Sequence, residues 1–289
     1  MKSTAIVGLG LIGGSLGLAL KHAGLSDGEL VGYARSPEVA ARAVRMGAVD
    51  RTGDSLASTV DGADIVILAT PAMAVKEILE QIGPRLAAGC VVTDTASTKM
   101  KVIEWAEEHL PSTVDFIGGH PMAGKESAGI EVAEADLFRG CRYCLIPGRS
   151  ASRASINLMV ELVSKIGARP LLITAPEHDD FVAGISHLPL ILSASLVLTT
   201  TQSPVWAKMS KLAATGYRDV GRLASQNPRM NRDICLTNRE NILFWIDEFS
   251  SELSRFRRLI SDGSEEMEQA FLDAQQARKA WLDDYDRKD

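Results

Sequence analysis

The sequence predicts an α/β protein: a doubly wound, mainly parallel sheet followed by an all-helical C-terminal domain. Three observations carry that reading. Strand-like and helix-like segments alternate through the first 174 residues, as βαβ units require. A glycine-rich turn stands between the first strand and the first helix. Beyond Thr174-Ala175-Pro176 no period-2 segment returns, and 3.6-residue periodicity runs to the end. The expected domains are therefore 1–174 and 175–289.

In chain order, Ser3–Val7 is a short apolar run, followed by glycines and the helical stretch Leu11–His22. Glu29–Tyr33 reads as a second strand and Pro37–Met46 as a helix, with proline at a favoured first position. Asp64–Ala69 is continuously apolar, as in strands buried on both faces. Helix Ala72–Leu86, strand Cys90–Asp94, helix Thr98–His109 and strand Asp115–Gly118 follow. Strands Cys141–Ile146 and Arg169–Ile173 bracket a helix over Ala151–Ile166, and the helical half includes Arg239–Ile260 and Ser264–Asp283.

Composition narrows the function. A chain of 289 residues, 46% hydrophobic and 24% charged, is neither disordered nor collagen-like. Its net charge of −6 argues against nucleic acid and anionic membranes as partners. Four cysteines suit a reducing cytosol, and Met1-Lys2-Ser3-Thr4 does not open a secretory leader, so a cytoplasmic protein is expected. Phe181–Ala207 carries no charged residue, but it holds His187, Pro189 and several hydroxyls. It is expected to be a helix buried within the helical domain rather than a membrane span. Cys141 and Cys144 are three apart on a strand, so they point to opposite faces, and no metal site is expected.

Gly8-Leu9-Gly10-Leu11-Ile12-Gly13 matches G-x-G-x-x-G between a strand and a helix, the Rossmann-type context for a dinucleotide. The first glycine allows the tight turn, the second lets a pyrophosphate approach, and the third lets helix and strand pack closely. About 20 residues on, an acid would bind the ribose 2′-hydroxyl of NAD. Ala34 stands there instead, followed by Arg35 and Ser36, which favours NADP over NAD. Thr70, Asp94 and Ser97, at later strand ends, are further expected cofactor contacts.

Thr93-Asp94-Thr95-Ala96-Ser97-Thr98-Lys99, Gly118-Gly119-His120-Pro121-Met122-Ala123-Gly124-Lys125-Glu126, Glu177-His178-Asp179, Ser186-His187-Leu188-Pro189 and Gly216-Tyr217-Arg218-Asp219 are richer in chemistry than structure alone needs. In this order, behind a dinucleotide fingerprint, they resemble the prephenate/arogenate dehydrogenase family over roughly residues 3–280. The resemblance implies oxidative decarboxylation of a 4-hydroxycyclohexadiene, with hydride transfer to NAD(P)+ and no metal. It matches His120 to the catalytic base and Ser97 to the serine orienting that base and the nicotinamide. It also matches Arg218 to the arginine holding a substrate carboxylate, and His178, Ser186 and His187 to a pocket-lining helix. Lys125 and Glu126 are expected at the pocket rim, and His22 and His109 receive no function. A homodimer through the helical domain is implied, with no room for the extra C-terminal regulatory domain of some relatives. Inhibition by tyrosine would then act through the active site.

One departure matters. Many prephenate-using members carry a second histidine three residues after that of S-H-L-P, where this chain has Leu190. Arogenate is therefore the alternative substrate. A β-hydroxyacid dehydrogenase would need a lysine followed four residues later by asparagine, and Lys208 and Lys211 are followed by Leu212 and Thr215. A non-catalytic NADP(H)-binding regulator would have no use for the His, Ser and Arg motifs together.

Overall fold

The computed structural model describes residues 3–25, 28–125 and 127–287. The chain forms two compact units, Met1–Arg239 and Glu240–Asp289.

The first unit is built on eight strands: β1 (Thr4–Val7), β2 (Leu30–Tyr33), β3 (Arg51–Thr52), β4 (Ile65–Leu68), β5 (Val91–Asp94), β6 (Asp115–Pro121), β7 (Arg142–Pro147) and β8 (Arg169–Leu172). They lie in the order β3-β2-β1-β4-β5-β6-β7-β8. The first six run parallel in the 3-2-1-4-5-6 arrangement of dinucleotide-binding sheets. β7 is antiparallel to β6, and β8 is parallel to β7. β1, β4 and β5 are buried at every position, and β4, buried on both faces, is accordingly a continuous apolar run rather than an alternating one.

Helices cover both faces. One core packs α1 (Leu11–His22), α2 (Pro37–Arg45) and α6 (Arg153–Lys165) on the sheet through Leu16, Leu20, Ala43 and Met159. The other packs α3 (Leu56–Val60), α4 (Ala72–Ile82) and α5 (Met100–His109) through Val75, Leu79 and Trp105. Fully burying a side chain such as Leu79 or Ile82 contributes about 1.5–3 kcal/mol. β3 and α3 are two and five residues long, too short to show a period in the sequence. β6 runs three residues beyond the expected end at Gly118 and so carries His120 within the strand.

Five more helices complete this unit: α7 (Ala175–Val182), α8 (Leu188–Thr201), α9 (Trp206–Met209), α10 (Thr215–Gly221) and α11 (Pro228–Thr237). The expected boundary at 175 is thus a change of secondary-structure type inside one compact unit, since side chains from α7 bond the sheet's loops. The capping box of Thr174 and Glu177, with Pro176 in the first turn, starts α7 at that point. α7 and α8 form one continuous helical run through the π turn Ala183–His187.

That run is long and apolar enough to cross a membrane by length and composition, yet only 33% of its most apolar stretch is buried. The expectation of a helix buried all round is therefore corrected. One side carries buried His178, Asp179 and His187, while Phe181, Ile185 and Leu198 face solvent. The second unit comprises α12 (Arg239–Asp262) and α13 (Glu266–Arg287), with the Phe256 and Phe271 rings 5.3 Å apart.

Candidate active site

The glycine turn connects β1 to α1. Gly8 has φ +100°, and a Cβ there would lie 2.3 Å from the Ala69 carbonyl oxygen. A Cβ on Gly13 would lie 1.9 Å from the Gly8 carbonyl oxygen, so helix and turn touch. Gly10 differs, because a Cβ there would meet nothing within 4 Å. The space over Gly10 is open at the N-terminus of a 12-residue helix with no side-chain cap and no acid in its first turn. Unpaired N–H groups and the positive end of the helix dipole suit a pyrophosphate. Thr70 meets Gly8 through its methyl group, and its hydroxyl is buried without a partner among the described residues. Leu9 is buried in the core, whereas Leu11 and Ile12 are half-buried. These features fit a dinucleotide.

At the end of β2, Arg35 is exposed. Ser36, expected beside it as a phosphate donor, is committed to α2: its hydroxyl accepts from Val39 N–H at 3.3 Å and donates to Glu38. The N-cap requirement of α2 explains this correction.

Asp94 is also placed differently from expectation. It is fully buried and accepts from the Ala96 N–H at 2.8 Å, the Gly119 N–H at 3.1 Å and the Lys99 ammonium. Its carboxylate organises the β5 loop rather than facing a cofactor. Lys99, likewise fully buried, donates to the Gly119 carbonyl at 2.7 Å as well. Burial pushes the Lys99 pKa down, against the opposing pull of Asp94. The glycines before His120 now have a cause. A Cβ on Gly119 would lie 2.4 Å from the Asp94 carbonyl oxygen, and one on Gly118 3.2 Å from Lys99 Cδ.

His120, partly exposed at the end of β6, joins a chain of side chains. Its Nδ1 is 2.9 Å from His178 Nε2, and His178 Nδ1 is 2.8 Å from Asp179 Oδ1. Asp179 also accepts the backbone N–H groups of Lys99 (2.7 Å) and Met100 (2.8 Å), capping α5 from another helix. Two backbone donors and the start of a helix hold Asp179 as an acceptor. In its neutral form His178 carries its proton on Nδ1, facing Asp179, and accepts at Nε2; His120 then donates from Nδ1 and keeps a free lone pair on Nε2. Burial, with His178, Lys99 and His187 nearby, holds the His120 pKa well below its usual value. His120 thus stays neutral near pH 7, at the head of a hydrogen-bonded chain that runs through His178 to Asp179.

His187 and Asn238 complete the cluster. The Asn238 amide donates to the Asp179 carbonyl at 2.6 Å and to His187 Nδ1 at 3.2 Å. The π turn is what aligns this side. In a regular α-helix, residues 179 and 187 would differ by about 80° around the axis; one extra residue per turn reduces that to about 20°. Thr237 donates to the Asp233 carbonyl, so the 2.8 Å bond between Thr98 and Thr237 has Thr98 as donor. It ties the β5 loop to α11.

The structure therefore brings together His120, His178 and His187, and adds Lys99, Asp179 and Asn238, which the sequence reading did not assign. His178, expected as a substrate contact, instead stands behind His120, since both its ring nitrogens are taken. Ser97 lies half-buried in the loop between Asp94 and Lys99. Ser186 is exposed, one residue around the helix from buried His187. Arg218 is not drawn into the cluster: its side chain is 76% exposed and pairs with adjacent Asp219 at 3.3 Å. Lys125 pairs with Glu134 at 2.7 Å and donates to the Val132 carbonyl, on the segment lying over α1. Glu126 lies outside the described residues.

Comparison with known proteins agrees with this geometry. Residues 16–172 match the prephenate dehydrogenase nucleotide-binding domain, and residues 174–274 match the prephenate dehydrogenase dimerization domain. The chain is 37% identical to prephenate dehydrogenase of Bacillus subtilis over 90% of its own length and 71% of that protein. It is 31% identical to cyclohexadienyl dehydrogenase of Zymomonas mobilis, covering 99% of this chain and 98% of that one. Among solved structures, prephenate dehydrogenase of Aquifex aeolicus with hydroxyphenyl propionate and NAD+ superposes with a TM-score of 0.91 at 30% identity, covering 97% and 98% of the two chains. Arogenate dehydrogenase of Synechocystis gives 0.83, also at 30% identity, with 96% and 99% covered.

Proposed function

The chain belongs to the prephenate dehydrogenase family and is an NAD(P)-dependent oxidoreductase, and we propose that His120 is its catalytic base and NADP+ its preferred cofactor. The reaction is oxidative decarboxylation of prephenate to 4-hydroxyphenylpyruvate. The observation that carries the assignment of His120 is the His120–His178–Asp179 chain, which fixes a neutral imidazole with one free lone pair.

NAD(P)+, when bound, supplies the hydride acceptor. The turn Gly8–Gly13 and the start of α1 would hold its pyrophosphate, with Thr70 beside Gly8. Arg35, exposed after β2, would favour a 2′-phosphate through its guanidinium. His120 Nε2 takes the C4 hydroxyl proton as C4 gives up its hydride. The ring carboxylate leaves as CO2, and its bonding electrons aromatise the ring. His120 then returns the proton to the phenolate oxygen, which balances the reaction. While His120 holds that proton, His178 and Asp179 stabilise the imidazolium, as an orienting carboxylate does in other histidine-based sites.

Arogenate is the second reading, favoured by Leu190, which is buried and apolar where a polar contact to the substrate side chain is expected. The decisive experiment measures kcat and KM for both substrates with both cofactors. Turnover of prephenate with lower KM for NADP supports the reading, and a preference for NAD overturns the cofactor part. Arg35→Asp is expected to raise KM for NADP about tenfold or more, one guanidinium–phosphate contact being lost. We also propose a homodimer formed through the helical segment, whose Ile185, Leu198 and Leu212 are 72%, 59% and 86% exposed. Sedimentation as a monomer at low micromolar concentration would count against it.

A further inference from the structure

Asn238 stands at the break between α11 and α12, and its amide nitrogen faces two groups at once. One is the Asp179 carbonyl oxygen at 2.6 Å, the other His187 Nδ1 at 3.2 Å. The carbonyl identifies the amide atom, because a carbonyl oxygen accepts and never donates. The second proton of that same NH2 group is therefore aimed at His187 Nδ1, which must be an unprotonated acceptor. Burial keeps the ring neutral, with its pKa pushed down to about 4, so the ring proton sits on Nε2. His187 is 2% exposed, and its Nε2 is buried without a partner among the described residues. Buried polar groups are rarely left so, and an orphan at a reactive cluster points to an absent partner. The same cluster holds His120, and a charge on His187 would be felt there.

We infer that Asn238 is a positioning residue that locks His187 in the Nε2–H tautomer, so that His187 offers one hydrogen-bond donor to an acceptor oxygen of the substrate. The identity of the substrate rests on the dehydrogenase reading; the tautomer does not. The π turn Ala183–His187 belongs to the same device, since it turns His187 to the helix side where Asp179 and Asn238 meet it. The donor has a selective consequence. A keto or carboxylate oxygen satisfies it, whereas an ammonium group at the same point sets donor against donor. With Leu190 apolar, His187 is a polar contact that this stretch of helix offers in its place.

The test uses the full chain labelled with 15N-histidine. Two-bond 1H–15N correlation spectra distinguish the tautomers, and the His187 signals are assigned by their loss in His187→Gln. Wild type is expected to show Nε2–H at His187, and Asn238→Leu a mixture of the two forms. Asn238→Leu and His187→Leu should each raise KM for prephenate about tenfold or more, with kcat within about threefold, as expected for a lost bond to a charged or strongly polar acceptor. His187→Gln, which retains an N–H donor, should raise it less. A rise confined to prephenate assigns the acceptor to its keto oxygen, and an equal rise for arogenate assigns it to a carboxylate. Either supports the donor. An Nδ1–H tautomer in wild type, or a folded His187→Leu enzyme with unchanged KM, overturns the inference. If Asn238→Leu does not fold, the wild-type spectrum and the His187 pair still decide. Absence of turnover with either substrate would sink the dehydrogenase reading while leaving the spectrum to judge Asn238.

Discussion

The glycine turn at the start of α1 and the histidine cluster at the end of β6 sit on the same sheet but are made differently. The turn is six consecutive residues, and its ligand-facing groups are backbone N–H groups and empty space. The cluster draws on β5, its loop, β6, α7, the π turn and the end of α11, and its working groups are side chains. In a site made of backbone, substitution disturbs the fold only where an added Cβ collides. A site made of linked side chains passes the loss of one member to the next.

His120→Asn tests the second half of that contrast and has the largest expected effect, a fall in kcat of about 10²–10⁴-fold with a smaller change in KM. Steady-state kinetics decides, and near-normal kcat would show that the cluster is not the catalytic centre. Asp179→Ala comes next. It leaves His178 and two backbone N–H groups without their acceptor and removes a negative charge from the start of α5. The expected loss is about 3–5 kcal/mol in urea unfolding, accompanied by a drop in kcat. Stability within about 1 kcal/mol of wild type would mean the cap is dispensable.

The glycines give a smaller and internally controlled pair. Gly13→Ala must push the Gly8 carbonyl aside and should lower stability by about 1–3 kcal/mol. Gly10→Ala has room, so the unfolding midpoint should barely move while the dinucleotide Kd rises about tenfold or more. If both variants lose stability equally, the space over Gly10 is not reserved for a ligand.

The gentlest effect is pH dependence. His120 and His187 have folded pKa values below the unfolded value of about 6.5. The unfolded chain takes up protons first as pH falls, so stability is full above about 6.5 and declines towards about 4, where His187 titrates in the fold. The acid limb of kcat/KM should likewise lie below 6.5, because the active base is the neutral form. An acid limb above 7 would contradict a His120 whose pKa is held below its usual value.

Much of this was visible in the chain before folding was considered. Parallel strands buried on both faces produce continuous apolar runs, so β4 could be read directly. The role of each glycine between Gly8 and Gly13 follows from spacing between a strand and a helix. His120, His178 and His187 were marked by their motifs. Lys99 was written within one of those motifs yet gave no sign of being buried, since a lysine before a helix is ordinarily solvated. Asp179 looked like a helix residue beside a histidine, and Asn238 stood in none of the motifs. Ser36, Asp94 and Arg218 were read by residue type, and the fold assigned them to a helix cap, a buried ion pair and an exposed pair with Asp219.

Backbone geometry is local: periodicity, a proline at a first helical turn or a glycine pattern constrains dihedral angles within a few residues, so the order of elements and the dinucleotide turn are written in the sequence. Protonation is not local. Which nitrogen of His120 is free depends on His178, 58 residues away in the chain, and on an aspartate held by the start of α5. The face His187 presents depends on one extra residue in a helical turn and on an asparagine 51 residues further on. Desolvation and donor–acceptor pairing exist only once those segments meet, and that meeting gives the histidines their separate roles.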